Sequence, residues 1–311
     1  MYGQGDKKRR TRQMKDKKWI LLVLAGWSTL VVSLFLAGLA GDAANQLLGL
    51  SGNSRTFVQG IVMSGLVVPI ILYLYPHVYK ITGVQSKPSV YSWKRLPHFM
   101  TGVLLATALA SLGFIIASSQ GWVVIEKWHT PDQWLAALIT NVIVAFLYEA
   151  LPEELGLRGM LYDLLRHRFA AWLAVLFQII LFILVPVTAT WLQVLCGFPP
   201  GNTINVFYVT LILSFGTCLQ LLRLWTGSLW ASIGFHLAYL EIIRFVIFPH
   251  KYGGPIITFH ESEPGLAWLI SVSMIIVGGI VVSLVILGAK RFIRKRDNRQ
   301  EAAQLYGQSD K

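Results

Sequence analysis

Charge is what this chain has least of. Only 14% of its 311 residues are Asp, Glu, Lys or Arg, where a soluble domain carries about 25%. That shortage excludes an ordinary water-soluble fold. Cysteine is scarce too: two thiols, Cys196 and Cys218, cannot form the framework of a disulfide-stabilised scaffold. The topology derived below puts them at different depths, too far apart to bridge. No stretch shows the period-two alternation of an outer-membrane barrel. No internal repeat is evident, so the inverted-repeat plan of a small transporter finds no support.

What the chain has instead is apolar sequence. Hydrophobic residues make up 55% of it, and the mean hydropathy is +0.58. Eight candidate spans recur at roughly 19–40, 56–76, 98–118, 133–152, 169–190, 204–224, 228–248 and 266–288. Each is close to the length of about 20 residues that a helix needs to cross the hydrocarbon core. Helices satisfy their own backbone groups in lipid, whereas isolated strands do not. The sequence therefore predicts an all-α polytopic membrane protein with about eight transmembrane helices.

The net charge of +12 is concentrated at the ends of these spans. Residues 1–18 form a basic tail that includes Lys7, Arg9 and Lys18, and residues 289–311 form another that includes Lys290, Arg294 and Arg299. Lys80, Lys87, Lys94 and Arg95 follow the second span, while the opposite-side loops hold only Arg55, Lys127 and Lys251. By the positive-inside rule, both termini are expected in the cytoplasm, with residues 19–288 as one integral domain in the cell membrane. The partners expected are the lipid bilayer and no nucleic acid, because topology already accounts for the basic charge. The first apolar run is longer than a signal-peptide core and reads as a retained signal-anchor, although AGLAGDAAN (37–45) offers small residues. In the 77–97 loop, Pro88 and Pro97 act as punctuation, and Tyr79, Tyr91 and Trp93 suit the headgroup level. The stretch 249–265 is polar enough to face water, and Gly279 with Ser283 forms a small-residue pair that permits close helix packing.

Ionisable residues inside spans cost about 2.5–3.5 kcal/mol each at a helix centre and are functional candidates by default. Here they are Glu149, Glu153, Glu154 and Arg158 around the fourth span, and His236, Glu241 and Arg244 in the seventh. Pro152 is expected to break or kink the fourth span, dividing it from an amphipathic piece at 153–168. Glu154 and Arg158 are four apart with the acid first, the favourable order for an ion pair. Glu149 and Glu153 share another line of the helix, and two carboxylates in a dry place make one of them a candidate base. His236 lies eight residues into its span, roughly 12 Å deep at the helical rise. Glu241 and Arg244, three apart, are expected to pair with each other.

EELGLRG (153–159) and TGSLWASIGFH (226–236) together resemble the CPBP intramembrane proteases. That family covers prenyl-protein (CAAX) processing enzymes and bacteriocin-processing or immunity proteins, also called the Abi family. Its EExxxR-Gly motif is matched by Glu153, Glu154, Arg158 and Gly159, and its last motif, after a TGSLW-type turn, by His236. The resemblance covers roughly residues 130–245. It implies that Glu153 activates the attacking water and that Glu154 and Arg158 are its ion-paired support. His236 would be a ligand or oxyanion stabiliser.

Two positions depart from the family pattern. Where FxxxH is usual, Phe182 is followed by Pro186; where HxxxN is usual, His236 is followed by Leu240. Tyr239 and Glu241 flank that last position, and Gln178 and Gln220 are the polar groups on spans five and six. The resemblance thus implies an endopeptidase acting on a membrane-embedded or lipid-anchored peptide or protein. A divalent metal such as zinc would be held by Glu153 and His236. The alternative is a catalytically degenerate member that binds membrane peptides or partners, as in bacteriocin immunity.

Overall fold

The computed structural model describes residues 3–83, 92–201, 203–249 and 254–309. Among the described residues, eight helices are long and apolar enough to cross a membrane, as the hydropathy pattern predicts. Helix α1 (Gly3–Leu48) is followed by α2 (Gly52–Thr82) and α3 (Pro97–Ser119). The fourth span is one continuous apolar helix from Pro131 to Arg168. It contains α4 (Pro131–Ala145), the short α5 (Leu151–Glu153) and α6 (Tyr162–Arg168), joined by two π-helical stretches. Then come α7 (Ala171–Leu195), α8 (Val206–Thr226), α9 (Leu229–Ile242) and α10 (Leu266–Ser309).

Several helices outrun the predicted spans. Helix α2 carries Tyr79 out of the expected loop and packs its ring against Tyr75 at 5.7 Å between centroids. Lys87, Pro88, Tyr91 and Lys251 lie outside the described residues, as do the side chains of Lys7, Arg9, Trp93 and Arg299. The 249–265 stretch is not wholly loop. A strand β2 (Ile257–Glu261) pairs antiparallel with β1 (Val123–Trp128), with an irregularity between Ile125 and Lys127. Both segments are rich in β-branched and aromatic residues, and the ladder ties the end of α3 to the chain between α9 and α10.

The TGS turn at 226–228 is a helix stop joined directly to a helix start. Gly227 takes the left-handed conformation (φ 67°) and its N–H donates to the Arg223 carbonyl. Ser228 then accepts from the Trp230 N–H at 3.2 Å, capping α9. Arg95 donates to the Gly227 carbonyl and locks this turn against the chain preceding α3.

Helix α9 is the most buried of the eight spans and contributes to two hydrophobic clusters. Ile233 and Leu237 face the cluster built with α1, α2 and α7, while Phe235 and Tyr239 face the one built with α3, α8 and α10. Its crossing with α3 is backbone on backbone. A Cβ on Gly102 would fall on the Ala231 carbonyl, and one on Gly234 would fall on the Phe99 carbonyl. On α10, a Cβ at Gly279 would meet Cys218 Sγ at 2.6 Å, and Ser283 accepts from Trp225 Nε1 at 3.1 Å. The small-residue pair read from the sequence is thus a packing site. Both cysteines are free thiols.

Substituting Gly234→Ala should destabilise the purified protein by about 1–3 kcal/mol through overpacking. Gly65→Ala on α2, where the added Cβ meets open space, should be neutral or gain up to about 1 kcal/mol from helix propensity. Denaturant titration of both variants in one detergent checks the contrast.

Candidate active site

Pro152 does not divide the fourth span. A proline nitrogen cannot donate to the preceding turn, and the helix absorbs this by widening on either side. The first π stretch covers Phe146–Ala150 and the second Glu154–Leu161. In the first, the Leu151 N–H reaches back five residues to the Phe146 carbonyl. π turns inside α-helices are frequent at functional sites because they redirect side chains. Here they re-aim the residues from Tyr148 to Arg158.

Glu154 and Arg158 pair at 3.2 Å, and both side chains are wholly buried. The guanidinium lies 4.3 Å from the Phe182 ring centroid on α7, an arrangement that stabilises a desolvated cation. From α9, His236 brings Nδ1 to 3.4 Å from Glu154 Oε1. Its ring meets Phe215 edge-on, with centroids 4.8 Å apart. Arg158 and His236 therefore converge on the same oxygen, Glu154 Oε1. With Nδ1–H donating to the carboxylate, Nε2 is left as the free ring nitrogen.

Glu153 points elsewhere, into a cavity of about 310 Å³. Tyr148, Glu149 and Glu153 form one wall, His236, Tyr239 and Leu240 a second, and Phe182, Val185 and Pro186 a third. Tyr208 and Phe215 of α8, Leu30 and Leu34 of α1 and Met63 of α2 also line it. The predicted base and the predicted histidine thus share one cavity, and the Glu154–Arg158 pair sits behind it. Pro186 and Leu240, which occupy the positions of the absent motif residues, face the same space.

The other polar residues separate from this group. Glu241 is not among the cavity's lining side chains, and both its buried oxygens lack a hydrogen-bond partner. Arg244 acts on it through its charge but does not hydrogen-bond it. The chain turns π-helical at Ile243–Ile247, which swings Arg244 toward α4. There Arg244 pairs with Glu149 and donates to Asn141 Oδ1 at 3.1 Å. Asn141 Nδ2 in turn donates to Asn53 Oδ1 at 3.0 Å. Gln178 and Gln220 are wholly buried, with amide atoms that find no protein partner.

Sequence reasoning missed Asn141, Tyr148 and Tyr208. The spacing of Asn141 and Glu149, two helical turns on one face, was the available signal for the first. A catalytic zinc needs three protein ligands, and the donor set does not fit one. Among the described residues, no three His, Cys, Asp or Glu side chains come together to hold a metal ion.

These features define a polytopic membrane protein whose buried acid–base cluster lies beside a cavity inside the helical bundle. Residues 131–239, the segment carrying both motifs, match the family model described as Rce1-like, type II CAAX prenyl endopeptidase. The resemblance to the CPBP proteases read from the motifs therefore holds over this segment. No curated protein and no solved structure matches the chain.

Removing the arginine should expose the cost of the buried carboxylate. Arg158→Met leaves Glu154 uncompensated and should destabilise the protein by about 3–5 kcal/mol, with most of that loss recovered in the double variant Arg158→Met, Glu154→Gln. Denaturation midpoints of the two singles and the double close the cycle.

Proposed function

We propose that the protein is an intramembrane endopeptidase in which Glu153 is the general base. The observation that carries this reading is the shared cavity of Glu153 and His236, with Glu154 and Arg158 held behind it. Glu153 takes a proton from water, and the resulting hydroxide adds to the scissile carbonyl carbon. His236, oriented by its Nδ1 contact with Glu154, stabilises the oxyanion through Nε2–H, a role that requires the doubly protonated imidazolium. Collapse breaks the C–N bond, and the proton held by Glu153 passes to the leaving amine. Arg158 pairs with Glu154, which in turn orients the imidazole. No step is routed through a metal.

The substrate class is a membrane-embedded or lipid-anchored peptide or protein. The basic end segments support an orientation with both termini on the cytoplasmic side of the cell membrane, by the positive-inside rule.

A second reading is a catalytically silent relative that binds a membrane peptide, as an immunity protein would. The observation that favours it is the apolar character of Pro186 and Leu240 on the cavity wall. Reconstituted protein assayed on internally quenched membrane peptides separates the two. Hydrolysis is expected to fall by about 10²–10⁴ in Glu153→Gln, to fall strongly in His236→Ala, and to persist in the wild type with a strong chelator. Wild-type protein that binds the peptides without cleaving them, with unchanged affinity in Glu153→Gln, would replace the first reading by the second.

A further inference from the structure

A second cavity, of about 410 Å³, lies beside the first and differs from it in chemistry. Its walls carry Asp42, Arg55, Thr56, Gln59, Thr190 and Gln193. Asp42 and Arg55 pair at 2.5 Å with both side chains partly exposed, and Gln193 accepts from the Gly201 N–H at 2.9 Å. None of these residues belongs to the Glu153–His236 group.

The two cavities follow one another along the bundle. Leu34 and Tyr148 line both. On α1, Leu30 and Leu34 face the Glu153 cavity, and the next turns on the same line bring Gly38 and Asp42 to the polar one. On α2 the line runs from Met63 to Gln59 and Thr56; on α7 it runs from Pro186 to Thr190 and Gln193. Three helix faces thus pass without interruption from one space into the other. They change from apolar to polar as they approach the end of the bundle where α1 and α7 finish and α2 begins. In the other direction, Leu157, Arg158 and Leu161 beyond Glu153 are packed with no exposure.

A peptide chain leaving water must keep its N–H and C=O groups partnered, since each unpaired group costs free energy in an apolar setting. The polar cavity supplies such partners, and it also admits the water that the reaction consumes. We infer that it is a vestibule through which water and the hydrophilic stretch of a peptide substrate reach Glu153, passing Tyr148 at the junction. The substrate part of this inference rests on the endopeptidase reading, whereas the access route does not.

The test reads access without requiring catalysis. In a Cys196→Ser background, with the buried Cys218 retained, Glu153→Cys is labelled by a small charged methanethiosulfonate. Adding Thr190→Trp or Gln59→Trp should slow that labelling roughly tenfold or more, since thiol reactivity follows access. Leu184→Trp, on an exposed apolar face, should leave it unchanged. Thr190→Cys alone should label readily with the same reagent. Unaltered labelling of Glu153→Cys behind both tryptophans, or an unreactive Thr190→Cys in folded protein, overturns the vestibule and points to entry from the lipid side. If labelling depends on the vestibule while the wild type cleaves no peptide, the endopeptidase reading fails and the route stands. If peptide is cleaved, Thr190→Trp should raise KM with Glu153 intact.

Discussion

The ion pair of Glu154 and Arg158 is the constraint around which the bundle is arranged. Two charges with no exposure at all carry a desolvation penalty that their mutual attraction offsets only in good geometry. The four-residue spacing in one helix supplies that geometry locally. Across helices, the Phe182 face meets the guanidinium and His236 meets Glu154 Oε1, while Glu154 Oε2 and the guanidinium nitrogens find no hydrogen-bond partner among the described residues. The positions of α7 and α9 relative to the fourth span follow from these needs as much as from apolar packing.

Helix α9 joins this electrostatic requirement to the packing. It can bring His236 to Glu154 because Gly102 and Gly234 let it lie directly on α3, and because the Ser228 cap starts the helix immediately after α8 ends. At its other end, the Arg244 contacts with Glu149 and Asn141 fasten it again to the fourth span. The cavity lies beside these two fastened helices, with α1, α2, α7 and α8 supplying its other walls, and its polar neighbour continues along faces of α1, α2 and α7 that carry no charge near Glu153.

Hydropathy made the eight spans legible, since a helix in lipid has to be apolar along its whole crossing. The motif residues and the Gly279–Ser283 contact were legible for a similar reason: each is a local spacing. What escaped was decided by distant partners. Pro152 reads as a break, yet tertiary packing keeps the fourth span helical through π turns to Arg168. Arg244 reads as the partner of Glu241, yet a carboxylate 95 residues earlier takes it. The two strands are short, lie outside the apolar runs and exist only as a pair between segments over a hundred residues apart. Tyr148 and Tyr208 look like ordinary aromatic residues of spans until the cavity is formed.

The order of the chain gives the His236 contact one more consequence. Glu154 and Arg158 lie in the fourth span and can neutralise each other within a single helix as it emerges from synthesis. The imidazole comes from the seventh, after two further spans have been made. During insertion the charged pair is therefore able to enter the membrane as a self-sufficient unit, and the acid–histidine cluster closes only when α9 arrives. The bundle completes this cluster only when most of the chain is in place.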